Sequence, residues 1–173
     1  MTLHALTVPT FAQMLKGLSA QIDKGAALAK DKAFDPSVLV NGRLAPDMFP
    51  FSAQVRFTCF QATDAVAKLA GVTGPGMPEG EASLEDLTGH IAAAIAFVES
   101  VPAAAFNGAE DRTITLNLPG GLVFEMTGAQ FVRDWALPQF YFHAVTAYDI
   151  LRHNGVALSK RDYVAHAVGY LKA

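Results

Sequence analysis

The stretch "LPQFYFHAVTAYDILRHNG", residues 137–155, has the pattern of a long buried helix. Its apolar side chains recur at spacings of three and four and cover much of the helix circumference. His143 lies near the centre of the stretch, directly after two aromatic residues. An imidazole in such a helix either binds a metal ion or makes a hydrogen bond inside the protein. Pro138 is expected to kink the helix, and Asn154-Gly155 to end it.

The residues before this stretch predict a β-hairpin and the start of the helix. Over residues 112–127, "RTITLNL" alternates apolar with polar side chains, and "PGG" separates it from "LVFEMT". Alternation interrupted by turn residues predicts a β-hairpin. Thr127 and Gln130 then form a T-x-x-Q capping box. The fourth long helix is therefore predicted to begin there and to run to about His153.

Two of the earlier helices are indicated by apolar periodicity and by their ends. The first is predicted over about residues 7–32, where apolar residues repeat at helical spacing. The third follows Ser83, which has Asp86 at the capping-box position, and ends before Pro102.

The second helix and the last helix complete the set. The second is predicted over about residues 48–70, with Asp47 as its N-cap and Gly71 as its left-handed C-terminal cap. A short last helix is predicted to begin at Ser159, with Asp162 again at the capping-box position.

These elements predict an all-α fold: a four-helix bundle with a small β-hairpin before the fourth helix and a short C-terminal helix. A chain of 173 residues fits a single domain, residues 1–173. The composition is 51% hydrophobic and 17% charged, and the charged fraction is below the roughly 25% usual for soluble domains. We expect a large core or a surface covered by a partner, such as a second copy in a homodimer.

Composition also argues against several classes of function. The formal net charge is −3, and the thirteen Lys and Arg residues are scattered, so no nucleic-acid surface is predicted. The longest apolar run, residues 91–98, is too short to span a membrane. Cys59 is the single cysteine, which excludes an internal disulfide and favours a reducing, cytoplasmic location.

Two motifs carry a resemblance to a known family. "GRLAPDMFPFSAQV", residues 42–55, and "LPQFYFHAVTAYDILRHNGVALSKRDY", residues 137–163, resemble a branch of the DinB/YfiT-like superfamily that is described as a domain of unknown function. The resemblance implies an up-down-down-up four-helix bundle that is frequently dimeric. In the wider superfamily, one histidine on helix two and an H-x-x-x-H pair on helix four bind nickel or zinc, and some members act with low-molecular-weight thiols.

Most of the metal ligands that the resemblance implies are absent from this sequence. It places His143 at the second histidine of the H-x-x-x-H pair, and Gln139 at the first. The second helix has no histidine, so Gln54, Thr58 or Cys59 would have to replace it. A neutral glutamine is a poor ligand for nickel or zinc.

The hydrogen-bonded interpretation of His143 requires a partner for the imidazole N–H. Candidate partners on the same helix or on the second helix are Gln139, Thr146, Tyr148, Gln54 and Thr58.

A shared polar pocket is a further hypothesis. Asp47, Gln54, Gln139 and His143 would line it at one end of the bundle, and Tyr148 would either add a hydroxyl or pack with its tip at the surface. Asp47 needs no such role if it caps the second helix.

Two functions from different classes follow. The first is a non-catalytic or small-molecule-binding homodimer that has lost the metal site and holds no cofactor. The second is a divalent-metal-dependent transferase or hydrolase, in which nickel or zinc is bound by His143 and by Asp47, Gln54 or Gln139. The sequence leaves open whether the protein is an enzyme.

Overall fold

The structure is a computed structural model that describes residues 1–79 and 83–172. Within those residues the chain is mostly helical, with one two-stranded antiparallel sheet. The long helices are α1 (Leu3–Lys32), α3 (Phe51–Ala70), α4 (Leu84–Ser100) and α6 (Leu137–His153). The shorter elements are α2 (Ser37–Val40), β1 (Thr113–Leu118), β2 (Leu122–Thr127), α5 (Gly128–Phe131) and α7 (Lys160–Tyr163).

The long helices pack side by side around a shared core. Helix α3 lies against α4 and α6, and α1 lies against the same two helices. Phe11 of α1 and Phe140 of α6 are both fully buried, with ring centroids 4.7 Å apart. Because α6 is packed from two sides, residues near its middle are held in fixed positions. Among the described residues no helix has both the length and the apolar character needed to cross a membrane.

Several predicted helix ends are confirmed. Ser83 and Asp86 form a capping box at the start of α4, with the Asp86 N–H donating to the Ser83 hydroxyl over 3.1 Å. Thr127 and Gln130 form the same motif at the start of α5, with the Gln130 N–H donating to the Thr127 hydroxyl over 3.2 Å. The left-handed cap at Gly71 (φ 69°) ends α3.

The last short helix is tied to the first helix through one carboxylate. The Ser159 N–H donates to the Asp162 carboxylate over 2.8 Å at the start of α7, as the capping pattern predicts. The same carboxylate accepts from Lys24 of α1 over 2.6 Å. Asp162 therefore both caps α7 and anchors the C-terminal segment on α1.

The prediction of Asp47 as N-cap of the second helix is wrong. Pro50, in an extended conformation, holds the cap position, and α3 begins at Phe51. The Phe51 N–H donates to the Gly42 carbonyl over 2.8 Å. A backbone group of the preceding loop thus satisfies the helix start, and Asp47 lies exposed in that loop.

The first helix is longer than predicted. It begins at Leu3, because the Thr2 hydroxyl accepts from the Ala5 N–H and caps it. Pro9 consequently lies inside α1, beyond its first turn.

The irregularity expected at Pro138 takes the form of a π-helical turn. Residues 132–136 form this turn between α5 and α6, and Pro138 lies in the first turn of α6. Proline has no N–H to donate, and its ring clashes with the carbonyl four residues earlier, which here belongs to this turn. A π-helix is rare and occurs mostly as such a single turn within an α-helix.

The predicted β-hairpin is confirmed. Strands β1 and β2 pair with Thr113 opposite Thr127 and Leu118 opposite Leu122. On β1, Ile114 and Leu116 are buried in the core. The hairpin therefore packs on the helices through β1, while most side chains of β2 are exposed.

Candidate ligand site around His143

A hydrogen bond between α3 and α6 forms the centre of the site. His143 Nδ1 lies 2.8 Å from Gln54 Oε1. Gln54 is 2% exposed, and its Nε2 donates to the Phe49 carbonyl over 3.3 Å. Because Nε2 of the amide faces that carbonyl, Oε1 faces the imidazole and acts as the acceptor. His143 therefore donates through Nδ1–H.

Aromatic rings surround the imidazole. The Phe57 ring lies 4.9 Å from it, tilted by 34°, and the Phe142 ring meets it edge-on at 5.3 Å. Phe49 packs against Phe57 at 5.2 Å. The Gln54–His143 pair is thus bordered by Phe57 of α3, Phe142 of α6 and Phe49 of the loop before α3. We call these three rings the aromatic frame.

Burial keeps this imidazole uncharged. Loss of solvation lowers the pKa of His143 from about 6.5 to about 4. At neutral pH the ring is therefore the neutral Nδ1–H tautomer. Its Nε2 makes no hydrogen bond with the described residues, so this nitrogen can accept one from a ligand.

The arrangement around Gln54 is rigid for local reasons. The Thr58 hydroxyl donates to the Gln54 carbonyl over 2.8 Å within α3. The guanidinium of Arg56 lies 5.6 Å from the centroid of the Phe57 ring, within the range of a cation–π contact. Gln54 is thus fixed by its backbone, by its side-chain amide and by close packing.

The other candidate pocket residues lie in different surroundings. Gln139 is half-buried one turn before His143 and lies beside Pro138 and Phe142 in a shallow depression. Tyr148 packs against Tyr163, with ring centroids 6.0 Å apart.

The loop residue and the cysteine are also separated from the imidazole. Asp47 is exposed in the loop before α3, and the structure gives it no hydrogen bond with Gln54 or His143. Cys59 is fully buried and lines a different cleft. Of the proposed pocket residues, the structure joins Gln54 and His143 directly.

The sequence interpretation missed the aromatic frame. Phe57 is three residues after Gln54 and so lies on the same side of α3, a spacing that could have marked it as a neighbour of any partner of Gln54. Phe49 had no comparable signal, because its position depends on the course of the loop before the helix.

The side chains at this site do not fit a nickel or zinc centre. In the described part of the chain no three His, Cys, Asp or Glu side chains converge on one point. The potential donors are one imidazole and the amides of Gln54 and Gln139, and the Gln54 oxygen already accepts from His143. Nickel and zinc prefer imidazole, thiolate and carboxylate ligands over neutral amides.

The comparisons with known proteins agree with this fold. The family described as "Domain of unknown function (DUF1993)" matches residues 3–164. A solved structure described as a DinB family member protein from Shewanella denitrificans is 41% identical, with a TM-score of 0.86 over 94% of this chain and 91% of that chain. No protein with a curated description matches.

The chain is thus a DinB-like protein. It belongs to the DUF1993 family.

The neutral state of His143 predicts a pH dependence of stability. The unfolded chain binds a proton at His143 below about pH 6.5, whereas the folded chain binds it only near pH 4. The stability gained from the neutral ring is therefore complete above about pH 6.5 and is lost as the pH falls toward 4. With partial solvent exposure, we expect a loss of about 1–2 kcal/mol in the free energy of unfolding.

Urea denaturation at about pH 7 and about pH 4.5 measures this loss in the wild type and in His143→Gln. The variant should lose less stability than the wild type, and His153→Gln, at the exposed end of α6, should behave like the wild type. An equal loss in the wild type and His143→Gln would show that His143 is not the responsible group.

Proposed function

We propose that this protein is a non-catalytic, small-molecule-binding homodimer in which a hydrogen bond replaces the metal site of its superfamily. The observation that carries the proposal is the 2.8 Å contact between Gln54 and His143. In the wider superfamily that this chain resembles, the helices that correspond to α3 and α6 both supply metal ligands. Here the Nδ1–H of the imidazole is held by an amide that is itself anchored to the Phe49 carbonyl.

The chemistry of the pair defines the expected ligand. A neutral imidazole accepts a hydrogen bond through Nε2, so the ligand should carry an N–H or O–H donor. The rings of Phe57 and Phe142 favour an apolar or flat body next to that donor. We therefore propose a neutral molecule with a donor group at one edge, and no cofactor.

The packing of the long helices supports an up-down-down-up four-helix bundle as the scaffold. Contacts of α1 and α3 with both α4 and α6 are those of a closed ring of four helices. A site between α3 and α6 then lies between neighbouring helices, which is a common place for ligands in such bundles. The cytoplasmic location stays a proposal, and it rests on the single cysteine.

Exposed aromatic side chains next to the site support a homodimer. Phe142 is 57% exposed and Phe49 is 58% exposed, although both belong to the aromatic frame around His143. Val145, one turn beyond Tyr141 on the outer face of α6, is also exposed. Aromatic side chains grouped on a surface are typical of the central part of a protein interface. We propose that a second copy covers this face.

A second candidate function has one observation in its favour. An imidazole held at Nδ1 by a hydrogen bond presents Nε2 in a fixed direction, as metal-binding histidines do. A divalent-metal-dependent transferase or hydrolase would use this Nε2, with Asp47, Gln54 or Gln139 completing the ligands. The donor set argues against it, because Gln54 is engaged and Asp47 makes no contact with the pair.

Metal analysis beside a His143→Ala variant separates the two functions. We expect the wild type, purified without an affinity tag, to hold far less than one nickel, zinc or iron ion per chain. His143→Ala should lower the free energy of unfolding by about 1–3 kcal/mol, because Gln54 loses its partner while remaining buried. The control His153→Ala should change stability by less than about 0.5 kcal/mol.

If the wild type holds stoichiometric metal and His143→Ala does not, the non-catalytic proposal is wrong. A thermal-shift screen of small neutral compounds on the same variants then tests ligand binding. A compound that binds at the His143 site should raise the melting temperature of the wild type and of His153→Ala but not that of His143→Ala.

The oligomeric state tests the proposed interface. Phe142→Asp places a charge at the centre of the exposed aromatic face and should convert a dimer to a monomer in sedimentation experiments. Leu122→Asp is the matched control, because Leu122 is 59% exposed on β2, and it should remain dimeric. A wild type that is monomeric at all concentrations, or dissociation by Leu122→Asp alone, would contradict the assignment.

A further inference from the structure

The last described part of the chain forms a surface groove that shares no residue with the His143 site. It is built from α7 and from a 3-10 turn over Ala165–Tyr170. The groove has a volume of about 460 Å³, and the residues that line it are Lys160, Arg161, Val164, Ala167, Val168 and Leu171. We call it the C-terminal groove.

The start of this segment is fixed on the body of the protein. The Asp162 carboxylate accepts from Lys24 of α1 over 2.6 Å. The Tyr163 ring packs against the core beside Tyr148. These contacts hold α7 in place, so the C-terminal groove belongs to the folded protein.

Two cations at the start of the groove have no carboxylate partner. Lys160 and Arg161 are exposed, and neither side chain makes an ion pair or a hydrogen bond with the described residues. The carboxylate of Asp162, next in the chain, is occupied by Lys24 and by the N–H and hydroxyl of Ser159. Like charges at neighbouring positions repel each other, so an anion that contacts both side chains would be favoured.

The rest of the groove is apolar and open to solvent. Val168 is 59% exposed and Leu171 is 81% exposed. Val164 and Ala167 lie between the cations and these residues along the chain, and they line the same groove. Apolar side chains that are grouped on a surface mark a binding site, whereas single exposed ones are common everywhere. The C-terminal groove therefore offers positive charge where it starts and apolar surface beyond.

This distribution suits a molecule with an anionic head and an unbranched apolar tail. A carboxylate can accept hydrogen bonds from an ammonium and from a guanidinium at the same time. An alkyl chain gains free energy for each CH₂ group that apolar side chains remove from water. With a helical rise of 1.5–2 Å per residue, residues 160–171 extend over at most about 20 Å. A fatty acid of about twelve carbons fits within that length.

The charge of the whole molecule favours a single bound molecule over a membrane surface. The formal net charge is −3, which opposes the approach of the protein to an anionic bilayer. Two cations add only about 1 kcal/mol each to attraction by such a bilayer, and recognition of anionic lipids by sequence segments typically uses four to eight. A groove also encloses one alkyl chain more closely than it contacts a flat surface.

We propose that the C-terminal groove binds a medium-chain fatty acid, whose carboxylate is held by Lys160 and Arg161 and whose alkyl chain lies along the apolar side chains of the groove. The site is independent of the His143 site, and it goes beyond the function proposed above. It is a binding site, and no chemical step is assigned to it.

Titration of the full-length protein with dodecanoate, below the concentration at which it forms micelles, tests the site. Amide chemical shifts in two-dimensional NMR spectra are the readout, and we expect saturable shifts centred on Arg161, Val164 and Val168. Octanoate should bind about tenfold more weakly, because it has four fewer CH₂ groups and an open groove covers each of them only in part. Acetate, which has no tail, and dodecyltrimethylammonium, which has the opposite charge, should give no saturable shifts at these residues.

Variants of the two cations locate the carboxylate. Lys160→Gln combined with Arg161→Gln should bind dodecanoate about fivefold more weakly, since exposed ion pairs each contribute modestly. Lys30→Gln combined with Arg133→Gln removes the same charge at exposed positions outside the groove. This control should bind dodecanoate like the wild type.

A variant of the apolar part locates the alkyl chain. Val168→Gln should bind dodecanoate about threefold more weakly, because part of the chain then lies against a polar side chain. Val38→Gln is the matched control, because Val38 is 54% exposed on α2, and it should bind like the wild type. Both positions are exposed, so both variants should remain folded.

The proposal is overturned if dodecanoate gives no saturable shifts at the groove, or if dodecyltrimethylammonium binds there as tightly. It is equally overturned if the folded double variant of Lys160 and Arg161 retains full affinity. The comparison of ligands on the wild type stands even if a variant fails to fold.

Sedimentation with vesicles rich in phosphatidylglycerol tests the membrane alternative. The wild type should stay in the supernatant. Co-sedimentation that is lost in the double variant of Lys160 and Arg161 would assign the groove to a membrane surface and contradict the proposal. Since His143→Ala leaves the C-terminal groove unchanged, failure here and failure of the His143 site are distinguishable.

Discussion

The hydrogen bond between Gln54 and His143 is the constraint on which the site depends. It crosses from α3 to α6, two helices that pack closely against each other, and it satisfies polar groups that burial would otherwise leave unpaired. An imidazole in this position must either be charged, bind a metal or donate to an acceptor. The buried amide of Gln54 supplies that acceptor, and the lowered pKa of His143 follows from the same burial.

Two faces of helix α3 meet different neighbours, α6 and α4. The face with Gln54 and Phe57 meets α6 and is framed by aromatic rings. The face with Cys59 and Thr63 meets α4 and is lined by small and apolar groups. On the face that meets α6, His143 Nε2 has no partner among the described residues. The neutral imidazole of His143 is the reason for proposing a neutral ligand at the face that meets α6.

Local patterns in the sequence predicted the helices and the hairpin well. Features that depend on contacts between distant parts of the chain were not predicted. The capping pairs Ser83–Asp86 and Thr127–Gln130 and the hairpin are encoded within a few residues, so their geometry follows from the local sequence. The start of α3 is not encoded locally, because the Phe51 N–H donates to the carbonyl of Gly42. The position of that carbonyl depends on the fold of the whole loop. Gln54 could be named as one candidate partner of His143, but choosing it over Thr58 or Tyr148 required the rotation of α3 against α6.

A double-mutant cycle between Gln54 and His143 tests the central claim most directly. The free energy of unfolding is measured for the wild type, Gln54→Leu, His143→Phe and the double variant at neutral pH. The account predicts a coupling of about 0.5–1.5 kcal/mol, because the two single changes remove the same hydrogen bond and the second costs less than the first. His143→Phe combined with Gln61→Leu, two turns further along α3 than Gln54, should be additive. Additivity within about 0.3 kcal/mol for Gln54 and His143 themselves would contradict the account.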